Sequence, residues 1–217
     1  MTYGECRDLA LHLIQQESIA GTEIPGTYNN QQDYLNKIPG LINAAQMDIA
    51  TTTKPIPAWV TLGELACRES NGSYIYTLPD DLWQRRGSGL LLPLPPRHHE
   101  FELEYARYNQ LRMIGNTELI LPKALPPETI LEYYRYPIRM QAQPEDDDLL
   151  DNVPEAQEAV PYYVAAHIVM YDDAFLYATL QNEYTAKKEA MRDRPRTEPG
   201  RVADVYTDFA GDYNFWG

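Results

Sequence analysis

The 217-residue sequence predicts an α+β fold: a helical bundle with a small antiparallel β-sandwich or barrel inserted in it. Three observations predict this. Apolar residues recur at three- and four-residue spacings near both ends of the chain, the mark of amphipathic helices. From residue 53 to about 143, Pro and Gly punctuate the chain every few residues, and short alternating runs lie between them. The last twenty or so residues follow neither period, as an extended tail would.

The elements follow in order. Leu9, Leu11, Leu13, Ile14 and Ile19 predict a first helix from about Tyr3 to Ser18, ended by Gly21 and Pro25-Gly26. Tyr34, Leu35, Ile38, Leu41, Ile42, Ala45 and Ile49 predict a second, from Asn29 or Asn30 to Thr51. Pro39-Gly40 inside it predicts a kink or two helices in tandem. Strands are expected over residues 59–65, 73–78, 90–92, 100–108, 112–114 and 118–121. The longest is residues 129–140, with Leu131, Tyr133 and Arg135 on one face and Ile130, Glu132, Tyr134 and Tyr136 on the other. Residues 80–85, after Pro79, read as one helical turn.

An acidic linker of residues 144–151 precedes a long helix from Val153-Pro154 to about Arg192. One apolar stripe on that helix contains Tyr163, His167 and Met170. A second contains Val164, Ile168, Tyr171 and Phe175. Apolar over more than half its circumference, such a helix must be buried on several sides, and neighbouring subunits are expected to help cover it. The organisation is therefore residues 1–52 as the N-terminal helices and 53–143 as the inserted β domain. Residues 144–194 supply the linker and the long C-terminal helix completing the helical core, and 195–217 a docking tail. In that tail Tyr206, Phe209, Tyr213, Phe215 and Trp216 are costly to leave in water, at about 2–3 kcal/mol for each large aromatic, and should dock on a neighbour or partner.

Charge narrows the function. Thirty-two acidic against 18 basic residues give a formal net charge of −14. That excludes a protein whose main task is gripping nucleic-acid phosphates, and docking on anionic membranes. With 44% hydrophobic residues the chain folds rather than staying disordered. Nothing approaches the roughly 18 apolar residues of a membrane span. The first ten residues carry Glu5, Arg7 and Asp8 and do not read as a signal peptide, so a soluble protein made in the cytoplasm is expected. Tyr supplies 17 of 24 aromatics, and its apolar body with a polar tip suits half-buried surfaces and interfaces.

Chemical motifs are sparse. Neither GxxxxGK[ST] nor GxGxxG occurs. Cys6 and Cys67 belong to no metal or redox pair and read as free thiols. His98 and His99 would point to opposite faces of a strand and do not converge on one ion. Glu145-Asp-Asp-Asp148 lacks the alternation and the Gly of a calcium loop. His167 reads as a core histidine. No catalytic residue, cofactor or metal is expected. Two basic sets remain. Trp83 with Arg85 and Arg86 forms a candidate partner contact on the β region. Lys187, Lys188, Arg192 and Arg194 follow the long helix, where they favour its C-terminus or face an acidic partner such as passing DNA.

Four local strings carry a resemblance. Residues 74–81 (YIYTLPDD) resemble a strand-and-turn of the form Y-x-LP-x-D. Residues 130–137 (ILEYYRYP) resemble a strand that ends in Pro before a last helix. Residues 160–167 (VPYYVAAH) resemble the opening of that helix, and Tyr34 to Ala50 resembles an early one. Together with the order helices, β insertion, helix, tail, they make the chain similar to the head-to-tail adaptor (connector, head-completion) proteins of tailed bacteriophages, over about residues 1–190. The resemblance implies a homo-oligomeric ring, typically of twelve copies, bound beneath the portal protein of the virion. Such a ring extends the DNA channel and offers a platform to the next neck or tail protein. It implies subunit packing through Tyr163, His167, Met170, Tyr171 and Phe175, portal or neighbour binding through the tail aromatics, and tail-component contact through Trp83, Arg85 and Arg86. Double-stranded DNA would pass an acidic channel without sticking. The rival readings are another neck ring, a stopper or tail terminator, and a small metal-dependent hydrolase on the β region.

Overall fold

The computed structural model describes residues 1–18, 28–87, 89–93 and 105–192, without the side chains of residues 15–18, 28–32, 105 and 192. The described chain is mixed helix and antiparallel sheet, with two sheets that do not close into a barrel. Helix α1 (Tyr3–Ser18) begins with a reciprocal cap. Glu5 N–H donates to Thr2 Oγ1 (3.2 Å), and Thr2 N–H donates to the Glu5 carboxylate (2.9 Å). Its buried face is Tyr3, Cys6, Ala10 and Ile14, at helical spacing. Burial in that face pushes the Cys6 thiol up to about 12.

Helix α2 (Tyr28–Thr52) runs through Pro39-Gly40 as one helix, not two in tandem. Pro39 removes one backbone donor. Ile38, Ile42, Ala45 and Ile49, all fully buried, hold the helix from both sides of that gap. The expected stop at Gly21 and Pro25-Gly26 lies outside the described residues.

The expected long C-terminal helix is instead three pieces: α3 (Pro154–Gln157), α4 (Val160–Val169) and α5 (Ala174–Arg192). Pro154 and Pro161 each sit in a first turn, where no intrahelical donor is lost. The break at residues 170–173 has a capping cause. Asp172 and Asp173 N–H both donate to the Val169 carbonyl (2.9 Å each), which closes α4. Asp173 Oδ1 then accepts from the N–H groups of Phe175 and Leu176 (3.0 Å each) and caps α5. The chain therefore turns back at this break, and α5 packs against α4. Helix α4 packs against α1, α2 and α5, so helices of the same chain cover it on several sides.

Among the described residues, nine strands lie between α2 and α3. In the first sheet β1 (Ile56–Thr61) pairs along the whole of β9 (Ile130–Arg135). The other edge of β9 is shared by β4 (Leu82–Arg85) and β5 (Leu90–Pro93), and β5 continues to β6 (Tyr105–Tyr108). The second sheet has the order β2 (Cys67–Ser70), β3 (Ser73–Thr77), β8 (Glu118–Leu121) and β7 (Arg112–Ile114). Several boundaries differ from expectation. Residues 59–65 divide into β1 and a 3-10 turn (Leu62–Glu64). Residues 80–85 hold a strand, because Leu82 is needed as an inward residue opposite β9. Strand β2 was not expected at all. It is joined to β3 by Asn71-Gly72, both at positive φ (50° and 73°), the two-residue turn whose twist matches a hairpin. Both sheets feed one apolar cluster that includes Tyr76, Leu82, Leu90, Leu119, Leu121, Leu131 and Tyr133.

The acidic linker is bound rather than free. Tyr3 N–H donates to the Asp148 carbonyl (2.7 Å) and Gly4 N–H to that of Asp146 (2.9 Å). These are first-turn donors with no partner inside α1. Arg7 holds the Asp146 carboxylate with both terminal nitrogens (2.5 and 3.4 Å). A Cβ on Gly4 would stand 3.0 Å from the Asp146 carbonyl oxygen, so the close approach favours glycine.

Candidate functional site

A cleft of about 500 Å³ opens where α2, α4 and α5 meet. Asp48 and Thr53 line it from the end of α2, and Tyr163 and His167 from α4. Helix α5 brings one face to it: Gln181, Tyr184, Thr185, Lys188 and Glu189. Its centre is the Asp48 carboxylate. The Tyr184 hydroxyl donates to Asp48 Oδ2, and Lys188 Nζ approaches the same oxygen at 2.6 Å. Lys188 also sits 5.3 Å from the centre of the Tyr184 ring. Burial, then the Asp48 charge, pushes the Tyr184 hydroxyl far above its ordinary value. Tyr163 is raised in the same way, by burial first and by Asp48 second. Both phenols therefore stay protonated, and Tyr184 acts as a donor.

The aromatic wall is ordered. The Tyr163 and His167 rings stack with centroids 3.9 Å apart, and Tyr184 meets Tyr163 edge-on at 5.1 Å. His167 Nδ1 lies 2.9 Å from the Tyr163 carbonyl, so Nδ1 carries the proton. The sequence reads His167 as a core histidine; it is instead half-buried, at the cleft wall. No group of three or more metal-ligating side chains occurs among the described residues.

The residues expected to make contacts separate into several places. Tyr163, His167 and Lys188 come together in the cleft. Lys187 points elsewhere and lies 4.8 Å from the Tyr162 ring centre. Met170, Tyr171 and Phe175 stand at the turn between α4 and α5, where they are 39%, 90% and 80% exposed. Arg85 and Arg86 do not act as a pair. Arg85 is registered opposite Tyr133, on the inner face of β9. Arg86 reaches the outer face, 3.9 Å from Glu132 and 6.0 Å from the Tyr134 ring centre. Trp83 sits at a bulge in β4, half-buried, and its carbonyl accepts from Asn116 (2.8 Å). Arg192 ends α5 with its side chain undescribed. His98, His99, Arg194, Tyr206, Phe209, Tyr213, Phe215 and Trp216 lie outside the described residues.

A second polar centre joins the β region to the helices. Arg135 of β9 grips Asp151 with two bonds (2.5 and 2.6 Å), and Asp151 also accepts from Ile138 N–H (2.5 Å). Asp151 N–H donates to the buried Gln46 of α2 (2.6 Å), while Asn43 pairs with both backbone groups of Met140 (2.7 and 3.0 Å). Burial pushes the Asp151 carboxyl up, but the Arg135 and Ile138 bonds outweigh it and hold the group below its ordinary value.

No family model matches the chain, and no curated protein matches it. No described helix is long and apolar enough to cross a membrane.

Proposed function

We propose that this protein is a virion structural component, a head-to-tail adaptor of a tailed bacteriophage. In this reading the fold is a helical bundle with an inserted β-sandwich and a C-terminal docking tail. Copies form a ring, of about twelve by the resemblance, under the portal protein. The ring extends the DNA channel at the neck and receives the next neck or tail protein. It performs no chemistry.

One observation carries the reading: Met170, Tyr171 and Phe175 stay exposed together at the turn between α4 and α5, and Tyr171 and Phe175 are the two most exposed large hydrophobics among the described residues. Large aromatics left in water at one turn are what a subunit with an obligate neighbour presents. The strings behind the resemblance also fall on fitting elements: YIYT on β3 before the Pro79 turn, ILEYYR on β9, and VPYYVAAH on α4. The tail aromatics Tyr206, Phe209, Tyr213, Phe215 and Trp216 serve as the portal or neighbour anchor. Trp83 and the outer-face Arg86 serve the tail side. A net charge of −14 per copy lets DNA pass without tight binding.

The test is co-assembly. Mixed with its portal protein, the chain should give rings in electron microscopy, and Tyr171→Ser with Phe175→Ser should prevent them. A chain that remains monomeric beside its portal sinks the reading, and strong salt-sensitive DNA binding by the isolated ring counts against the channel role.

A further inference from the structure

The cleft between α2, α4 and α5 keeps acceptors that no donor among the described residues reaches. Tyr184 and Lys188 both donate to one oxygen, Asp48 Oδ2, and no donor among the described residues reaches Oδ1. Gln181 Oε1 is buried without a partner. Glu189 lines the same cleft, and no ion pair among the described residues engages it. On the donor side, His167 Nδ1 is taken by the Tyr163 carbonyl and the Thr185 hydroxyl by the Gln181 carbonyl (2.8 Å). The formal charge of the lining is 1 − 2 = −1, from Lys188 against Asp48 and Glu189. Beside these acceptors the stacked Tyr163 and His167 rings line the cleft.

A guest that completes this cleft brings several N–H donors, a positive charge and a planar face. A guanidinium has all three. Its fork reaches several acceptors at once and its plane stacks on aromatic rings, whereas an ammonium is a compact point charge. A buried acceptor left unpaired costs free energy that such a donor recovers. We propose that this cleft is a receptor for an arginine side chain. The arginine can come from this chain, where Arg192, Arg194, Arg196 and Arg201 follow the cleft-lining face of α5 in sequence, or from a partner protein.

The test is calorimetric titration of the full chain with N-acetyl-arginine methylamide. The citrulline analogue, equal in shape but uncharged, is the control. The arginine analogue should bind, and citrulline at least about tenfold more weakly, since bonds to a charged donor are the stronger kind. Gln181→Leu and Glu189→Gln should each weaken binding about tenfold with unchanged circular dichroism and urea midpoint. A variant with Arg192, Arg194, Arg196 and Arg201 all changed to Gln separates the sources. Binding at least about tenfold tighter than wild type assigns the site to the chain's own arginines, which had competed with the probe. Binding equal to wild type assigns it to a partner's. No binding to either protein, or citrulline binding as well as arginine, overturns the proposal.

Discussion

Removing the Asp151 carboxylate should loosen the joint between the β region and the helices. Asp151→Ala deletes two bonds from Arg135 and one from Ile138 N–H, and it leaves the guanidinium without its bidentate partner. Breaking a fully buried pair by removing one partner costs about 3–5 kcal/mol. Here the Arg135 and Asp151 side chains are 20% and 25% exposed, so solvent recovers part of that. The expected loss is about 2–3 kcal/mol. Urea unfolding should show it as a midpoint lowered by about 1 M, for a slope of about 2–3 kcal/mol per M. Arg135→Met keeps the apolar stem, and the double variant should lose less than the sum of the singles by about 1–2 kcal/mol. Acid sharpens the assay. Asp151 is held below its ordinary value when folded, so its contribution is present above about pH 4 and disappears as pH falls through the folded value. Asp151→Ala should lack that part of the acid slope. A loss under about 0.5 kcal/mol, or strictly additive single variants, would refute the reasoning.

Other consequences are checked more briefly. Tyr184→Phe should cost about 1–3 kcal/mol by urea unfolding, because the lost hydroxyl donates to a carboxylate. In an alkaline absorbance titration Tyr184 should stay protonated until the protein unfolds, since burial and Asp48 both raise it. Gly89→Ala should cost more than about 2 kcal/mol, because the new Cβ would meet the Tyr108 carbonyl oxygen at 2.6 Å. Tyr171→Ser with Phe175→Ser should leave stability within about 0.5 kcal/mol for each exposed side chain. Deleting residues 204–217 should preserve the helical circular dichroism yet reduce assembly; equal assembly would show that the tail is not the anchor.

What the sequence reveals depends on how local the signal is. The bounds of helix α1 were legible, but the stripe that predicted it (Leu9, Leu11, Leu13, Ile14) shares only Ile14 with the buried face Tyr3, Cys6, Ala10 and Ile14, and the Thr2–Glu5 cap was missed. Strand β9 was legible as an alternating run, although its ends were not, since they are set by Pro137 and the Asp151 contact rather than by period. The break after Val169 was concealed by Tyr171 and Phe175, which extend the apolar stripes across the turn. The deciding signal was the Asp172-Asp173 pair, a capping sequence placed just before Ala174. Strand β2 was missed because Cys67, Arg68 and Glu69 are exposed and show no apolar alternation, although Asn71-Gly72 marks the hairpin.

The cleft was legible only in part. Tyr163, His167 and Lys188 stood out as a stripe and a basic run, but nothing local linked them. Asp48, Gln181 and Glu189 drew no notice, because a carboxylate near the end of an apolar helix looks like a solvated residue. Their chemistry exists only once α2 and α5 are packed against α4. Covalent neighbours carry capping and turns, while a site shared by three helices is written in packing.

The adaptor reading is tested most directly by electron microscopy of the full chain with its portal protein. The account predicts closed rings seated on the portal, with Tyr171 and Phe175 inside a subunit or portal contact and an open channel along the axis. A portal left bare, with the protein monomeric in the background, would contradict it.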